Sequence, residues 1–205
     1  MDCNFTTPTK IESVLSAFGS TPPASIRAVT AWVEQVGIWN QRVDLTAARS
    51  VDELADLMVA DAACLAAHIA EGRRVVDVGS GAGAPGLPLA LIRPDLEVTL
   101  VEPLQKRAAL LRMIKGRHPE LRLHIVQGRG EAQRERYDVA ISRATLPPPK
   151  WLALGARLAD EVWLLLARQE PPSLQGWRAV VDESYSWPLT AAERRIVCYR
   201  RATPT

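Results

Sequence analysis

The stretch that most restricts this chain is VVDVGSGAGAPGLPLAL, residues 75–91, in which four glycines fall within eight residues. An apolar run ends on Asp77, breaks at Gly79, Gly81, Gly83 and Gly86, and resumes as a helix. A strand that turns through bare backbone into a helix is how an open α/β sheet makes room for a nucleotide-like ligand. Gly79-x-Gly81-x-x-Ala84 meets the dinucleotide pattern G-x-G-x-x-G/A, and Glu102 lies at the right distance downstream to hold ribose hydroxyls. Whatever else the chain does, it has to supply a sheet around this turn.

It does so after residue 72. Strands over 74–79, 97–102, 121–129, 137–144 and 161–169 alternate with helices over 85–93, 104–117 and 149–159, the pattern of a parallel sheet with helices on both faces. WRAVVDESYSW and RRIVCYRR follow with no helix between them, which predicts an antiparallel hairpin at the sheet edge. Before residue 70 the texture is helical. Ile11, Val14, Leu15 and Phe18 mark one helix over 9–19, and Ile26, Val29, Val33 and Val36 another over 21–41. Ser50 and Glu53 form a capping box that opens a third over 50–70. The expected fold is α/β and Rossmann-like, with a mostly parallel sheet, an antiparallel C-terminal hairpin and an N-terminal helical extension. Residues 1–70 are read as that extension and 71–205 as the ligand-binding domain, in a single compact unit.

Two features of the turn bear on the ligand. A pyrophosphate needs free backbone N–H groups at the helix start, and Pro85 and Pro88 remove two of them. Proline is also simply a good first residue of a helix. Asp77, two residues before the first glycine, would repel a diphosphate and attract a ligand that carries an ammonium and a sulfonium. S-adenosylmethionine is such a ligand; its ribose diol would donate to Glu102. NAD(P) and an oxidoreductase remain the alternative, although no Tyr-x-x-x-Lys pattern is present.

Composition excludes more than it assigns. With 47% hydrophobic and 23% charged residues, an ordinary core is available and disorder is not expected. No apolar run is long enough to span a membrane and the opening residues do not read as a secretory leader, so a cytoplasmic protein without membrane contact is expected. Cys3, Cys64 and Cys198 form neither a disulfide framework nor a zinc pattern, and His68, His118 and His124 do not cluster, so no metal is expected. Residues 1–70 hold four basic against eight acidic residues, and the remainder twenty-one against fifteen. A basic C-terminal two-thirds suits a polyanion such as RNA, though a chance asymmetry of a solvated surface would look the same. Nothing calls for an obligate dimer, so a monomer is expected.

Several segments in order, WNQRVDLTAAR, DVGSGAGAPGLPLAL, VTLVEPLQKRAALLR, VQGRGE and YDVAISRA, resemble the bacterial small-subunit rRNA guanine-N7 methyltransferases, formerly called glucose-inhibited division protein B. The resemblance implies a class I S-adenosylmethionine-dependent methyltransferase fold and transfer of a methyl group to guanine N7 in the decoding-region loop of 16S rRNA, on naked RNA or the small ribosomal subunit. It implies cofactor binding at Gly79, Ala84, Gly130, Glu131 and Arg143. Asp77, Gly81, Gly83 and Glu102 join them through the physical argument above. Lys106 and Arg107 are shared with the family and are expected to contact RNA. Arg168 keeps the charge of a lysine usual there, and Asp61 is the surviving residue of a His-x-x-Asp-Ser motif. The departures are Met58 and Ala62 in that motif, Gln169 after the fifth strand, Glu102 in place of Asp, and Asp44 in place of Asn.

Guanine N7 has an exposed lone pair and no proton to lose, so its methylation asks for positioning rather than a general base. Arg143, at the end of the fourth strand, is the expected catalytic residue: a guanidinium there can clamp a phosphate or donate to guanine O6. A plain ion pair with a structural carboxylate is its competing role. Asp61 has a competing role in helix packing, Lys106 and Arg107 as a solvated helix face, and Trp32 and Trp39 as core. Further alternatives are a paralogue with the same cofactor site acting on another RNA or a small molecule, and a non-catalytic RNA-binding sensor of S-adenosylmethionine.

Overall fold

A computed structural model describes residues 7–41 and 45–202; Cys3 and Asp44 lie outside the described residues. Helix α1 (Thr7–Ser16) buries Ile11, Val14 and Leu15 along one face. Helix α2 (Pro23–Asn40) starts on the Pro22–Pro23 pair, where a missing N–H costs nothing, and buries Val29, Trp32, Val33 and Val36. Ser50 Oγ accepts the Glu53 N–H at 3.1 Å, as the capping box requires, and Glu53 reaches back to the Arg49 N–H at 2.7 Å rather than to that of Ser50.

The helix that follows is not the uninterrupted one expected over 50–70. It divides into α3 (Val51–Ala55), a π-helical turn over Asp56–Ala60, and α4 (Asp61–His68). The physical reason lies outside the helix. The Asp56 carboxylate accepts the N–H groups of Leu189 and Thr190 and the Thr190 hydroxyl, and the Leu57 carbonyl accepts from Arg143. Tertiary partners more than 80 residues away offset the poorer local geometry of the wide turn.

The sheet has the order β3-β2-β1-β4-β5-β7-β6. Strands β1 (Arg74–Val78), β2 (Glu97–Glu102), β3 (Leu123–Gln127), β4 (Tyr137–Ser142) and β5 (Ala159–Leu166) are parallel. Strands β6 (Trp177–Ser186) and β7 (Glu193–Arg201) form the antiparallel hairpin, joined to the sheet through β5. Helices α5 (Gly86–Ile92), α6 (Gln105–Lys115) and α7 (Pro148–Leu158) complete the framework. Alternate residues of the strands enter opposite cores. Val75, Val98, Val139 and Ile141 pack with α1, α2, α4, α5 and α6, whereas Val76, Val101, Ala140 and Val162 pack with Trp151 and Leu152 of α7. The N-terminal helices therefore share one core with the sheet.

Chain order reverses between β1 and β4, and a ligand crevice opens at such a switch point, beyond the carboxyl ends of the strands. The glycine loop leaves β1 there and Arg143 leaves β4 there.

Candidate functional site

Three loop glycines have positive φ, 77° at Gly79, 59° at Gly81 and 121° at Gly83. At Gly79 the requirement is doubled, because a Cβ would lie 2.2 Å from Thr145 Oγ1. The loop spends its donors on itself. Gly79 and Ser80 donate to the Val101 carbonyl, Gly83 to Ser80, Leu87 to Gly83, Gly81 to Glu102 and Gly86 to Asp77. Pro85 and Pro88 have none to give. A diphosphate held by helix-start N–H groups has little to bind here.

Asp77 does not reach the crevice. It is 0% exposed beneath the loop, with Oδ2 accepting the Gly86 N–H at 3.0 Å and Oδ1 without a partner. Burial pushes its carboxyl up to about 7, so the charge expected to attract a cationic ligand is muted at neutral pH. Its visible work is to hold the loop. Glu102, 2% exposed, does similar work from β2: its carboxylate accepts the Gly81 and Leu104 N–H groups, each at 2.9 Å. Gly83 and Ala84 are buried as well, Gly83 against Leu87 and Leu111.

The residues that do line the crevice are Val78, Gly79, Pro103, Gly130, Glu131 and Leu154, with Arg129, Thr145 and Leu146 at its edge, around a cavity of about 260 Å³. Gly130 is bare because a Cβ would meet Val78 Cγ1 at 2.4 Å. Thr145 hydrogen-bonds the Val78 carbonyl at 3.1 Å and covers Gly79. The backbone arranges this at Ala144, whose φ of 54° is rare for a residue with a Cβ and marks local strain.

A second cavity, about 220 Å³, adjoins the first across Leu146. Leu57, Asp61, Arg143, Trp151 and Trp187 line it. Arg143, which the resemblance placed at the cofactor, lines this cavity and not the first; it donates to the Leu57 carbonyl and, at 3.2 Å, to Asp61 Oδ2. Trp151 is held by a 2.9 Å bond from its indole N–H to the Trp163 carbonyl. Asp61, expected on the substrate side, lines this cavity but is only 2% exposed; it accepts from Tyr185 at 2.7 Å and Trp187 at 2.9 Å besides Arg143, a position from which it shapes the cavity. Met58 and Ala62, at 3% and 0% exposure, are core positions and do not line the cavity.

Of the basic residues, Lys106 is exposed and Arg107 half-buried at the start of α6, just past Pro103 of the crevice. Arg168 is exposed beside a groove that also holds Arg194 and Arg195; Arg194 lies 3.7 Å over the Trp187 ring and borders the second cavity too. Sequence reasoning missed Thr145, Tyr185, Trp187 and Arg194, whose roles arise only from long-range contacts. Cys64 and Cys198 are buried, and burial pushes both thiols up to about 12, too high for a nucleophile. Among the described residues no group of His, Cys, Asp and Glu could hold a metal ion.

The architecture is shared with solved methyltransferases. A Pyrococcus horikoshii protein described as a candidate RNA methyltransferase superposes with a TM-score of 0.56 at 15% identity, over 84% of this chain and 98% of its own. TrmN from Thermus thermophilus superposes with a TM-score of 0.53 at 16% identity, over 73% of this chain and 48% of its own. Sequence relatives are nearer. The ribosomal RNA small subunit methyltransferase G of Anaeromyxobacter dehalogenans is 33% identical over 91% of this chain and 94% of its own, and that of Methylobacillus flagellatus 33% identical over 79% and 81%. The family model described as GidB, rRNA small subunit methyltransferase G, matches residues 25–167, and the chain belongs to that family.

Proposed function

We propose that this protein transfers a methyl group from S-adenosylmethionine to N7 of a guanine in 16S rRNA. The observation that carries the reading is the pair of adjoining cavities at the carboxyl ends of β1 and β4, one under the glycine loop and one around Arg143, sharing Leu146. The first cavity suits a ligand without phosphate, because the N–H groups of Gly79, Ser80, Gly81, Gly83 and Gly86 are already engaged and its lining offers Val78, Pro103, Leu146 and Leu154. Gly79 and Gly130 give close backbone approach there, and Glu131 a polar edge. Glu102 would accept the ribose diol with the lone pairs its two N–H partners leave open. S-adenosylmethionine, when bound, supplies an electrophilic methyl group.

The second cavity supplies the acceptor's place. Asp61, its carboxylate, is committed to three donors and cannot serve as a general base. That suits an acceptor nitrogen that already carries a free lone pair. Arg143 keeps donors beyond its bonds to Leu57 and Asp61, and a guanidinium bound to guanine O6 or a flanking phosphate orients the base while N7 stays open. Lys106, Arg107 and Arg168 extend the contact along the RNA backbone. The basic balance of residues 71–205 supports the same partner.

The test pairs calorimetry with transfer. S-adenosylmethionine is expected to bind and NAD(P) not, and radiolabelled methyl is expected on unmethylated small ribosomal subunits but not on large ones. NAD(P) binding would return the chain to the oxidoreductases. S-adenosylmethionine binding with no label on small subunits would point to another acceptor.

A further inference from the structure

The second cavity is lined on one side by the C-terminal hairpin. Tyr185 lies in the last two residues of β6 and Trp187 directly follows the strand, and both reach across to a carboxylate on α4. The Tyr185 hydroxyl and the Trp187 indole N–H both donate to Asp61 Oδ1, at 2.7 and 2.9 Å, while Arg143 takes Oδ2 at 3.2 Å. Asp61 is buried, and on its own helical stretch Met58 and Ala62 offer no donor while Cys64 offers only a thiol, a weak one. Its Oδ1 is therefore oriented by the hairpin and its Oδ2 by Arg143. Tyr185 stays a donor, since burial and the Asp61 carboxylate both push its hydroxyl well above the ordinary phenol range. Arg194 stacks on the outer face of Trp187 and Phe18 meets Tyr185 edge-on at 5.9 Å, so both donors are held from a second side.

We propose that Tyr185 and Trp187 are positioning residues for methyl transfer, acting through Asp61 to hold Arg143 at the acceptor cavity. The inference rests on the reading of that cavity as the acceptor's place. A buried carboxylate with three donors has one arrangement that satisfies all of them. Removing one hairpin donor leaves Oδ1 with a single partner, so that Asp61 can rotate and loosen its bond to Arg143, which the Leu57 carbonyl alone then holds. Two segments outside the glycine loop, the π turn that offers Leu57 and the hairpin that offers Tyr185 and Trp187, thus set the geometry of one guanidinium.

The experiment is a kinetic cycle on the full chain with small ribosomal subunits as acceptor. Tyr185→Phe is expected to lower kcat by about tenfold, with S-adenosylmethionine affinity unchanged. In an Arg143→Lys background the same change is expected to cost less than about twofold further, because the positioned group is already altered. Tyr199→Phe, which loses a hydroxyl bond to the Pro172 carbonyl elsewhere on the hairpin, is expected to lower Tm alone. If Tyr185→Phe does not fold, Trp187→Phe takes its place in the cycle. A variant that only lowers Tm, or costs that simply add in the double variant, would overturn the positioning role. Full turnover by Arg143→Ala would instead overturn the acceptor-site reading, and the inference with it.

Discussion

The glycine loop and the cavity around Arg143 lie side by side, yet they are built in opposite ways. The loop is assembled from residues 77–104, and its partners are its own backbone, Asp77, Glu102 and the adjacent strand. The cavity draws on the π turn, the end of β4, the start of α7, the end of β5 and the hairpin, and its central carboxylate is 124 residues from Tyr185. One is assembled mainly within the contiguous β1–α5–β2 stretch, with Thr145 added from beyond β4. The other exists only when the whole molecule is folded. Cofactor affinity and acceptor turnover should therefore respond to different substitutions.

The largest separation is expected from Gly79→Ala. It forces a side chain into positive φ and into Thr145, and an S-adenosylmethionine affinity lower by about 100-fold is expected in calorimetry, since strain and clash both act on the loop. Arg143→Ala should do the reverse: turnover falls by about 50-fold with cofactor affinity kept, at a folding cost of about 1–3 kcal/mol for the donor taken from Asp61. An equal loss in both measurements would erase the distinction between the two regions. Lys106→Ala combined with Arg107→Ala should weaken RNA binding by about fivefold at low salt and flatten its salt dependence by about one ion per contact removed.

The smallest effect is a pH dependence confined to the loop. The Asp77 carboxyl is raised by burial to about 7, so the folded chain holds a proton that the unfolded chain releases near the ordinary carboxylate range. Stability from this group is complete at low pH and is lost as pH rises toward 7. Thermal melts from pH 5 to 8 should show a declining Tm, and Asp77→Asn should flatten the decline. A slope identical in the variant would place the titrating group elsewhere.

The same contrast explains what could be read from the residues. The alternation of strands and helices, the hairpin and the Ser50 cap follow from local pattern: β2 spans 97–102 as expected, and Ser50 accepts from Glu53. The shortage of free N–H groups at the start of α5 was legible in Pro85 and Pro88. Asp77 was misjudged because its position at the strand end does not reveal which way the loop folds over it. The π turn was invisible since Asp56 and Leu57 look like ordinary helix residues until the hairpin and Arg143 are in place. The three donors that converge on Asp61 were hidden for the same reason. Met58 and Ala62, departures from the family motif, turn out to be core packing and say little about the acceptor.

The most direct measurement locates the methyl group. Unmethylated small subunits incubated with the protein and S-adenosylmethionine, then treated with borohydride and aniline, should show strand scission at one guanine of 16S rRNA, the mark of N7-methylation. Arg143→Ala should lose that scission while still binding the cofactor. Label incorporated without scission at any guanine would contradict the account, because the cavity would then be serving a different nucleophile.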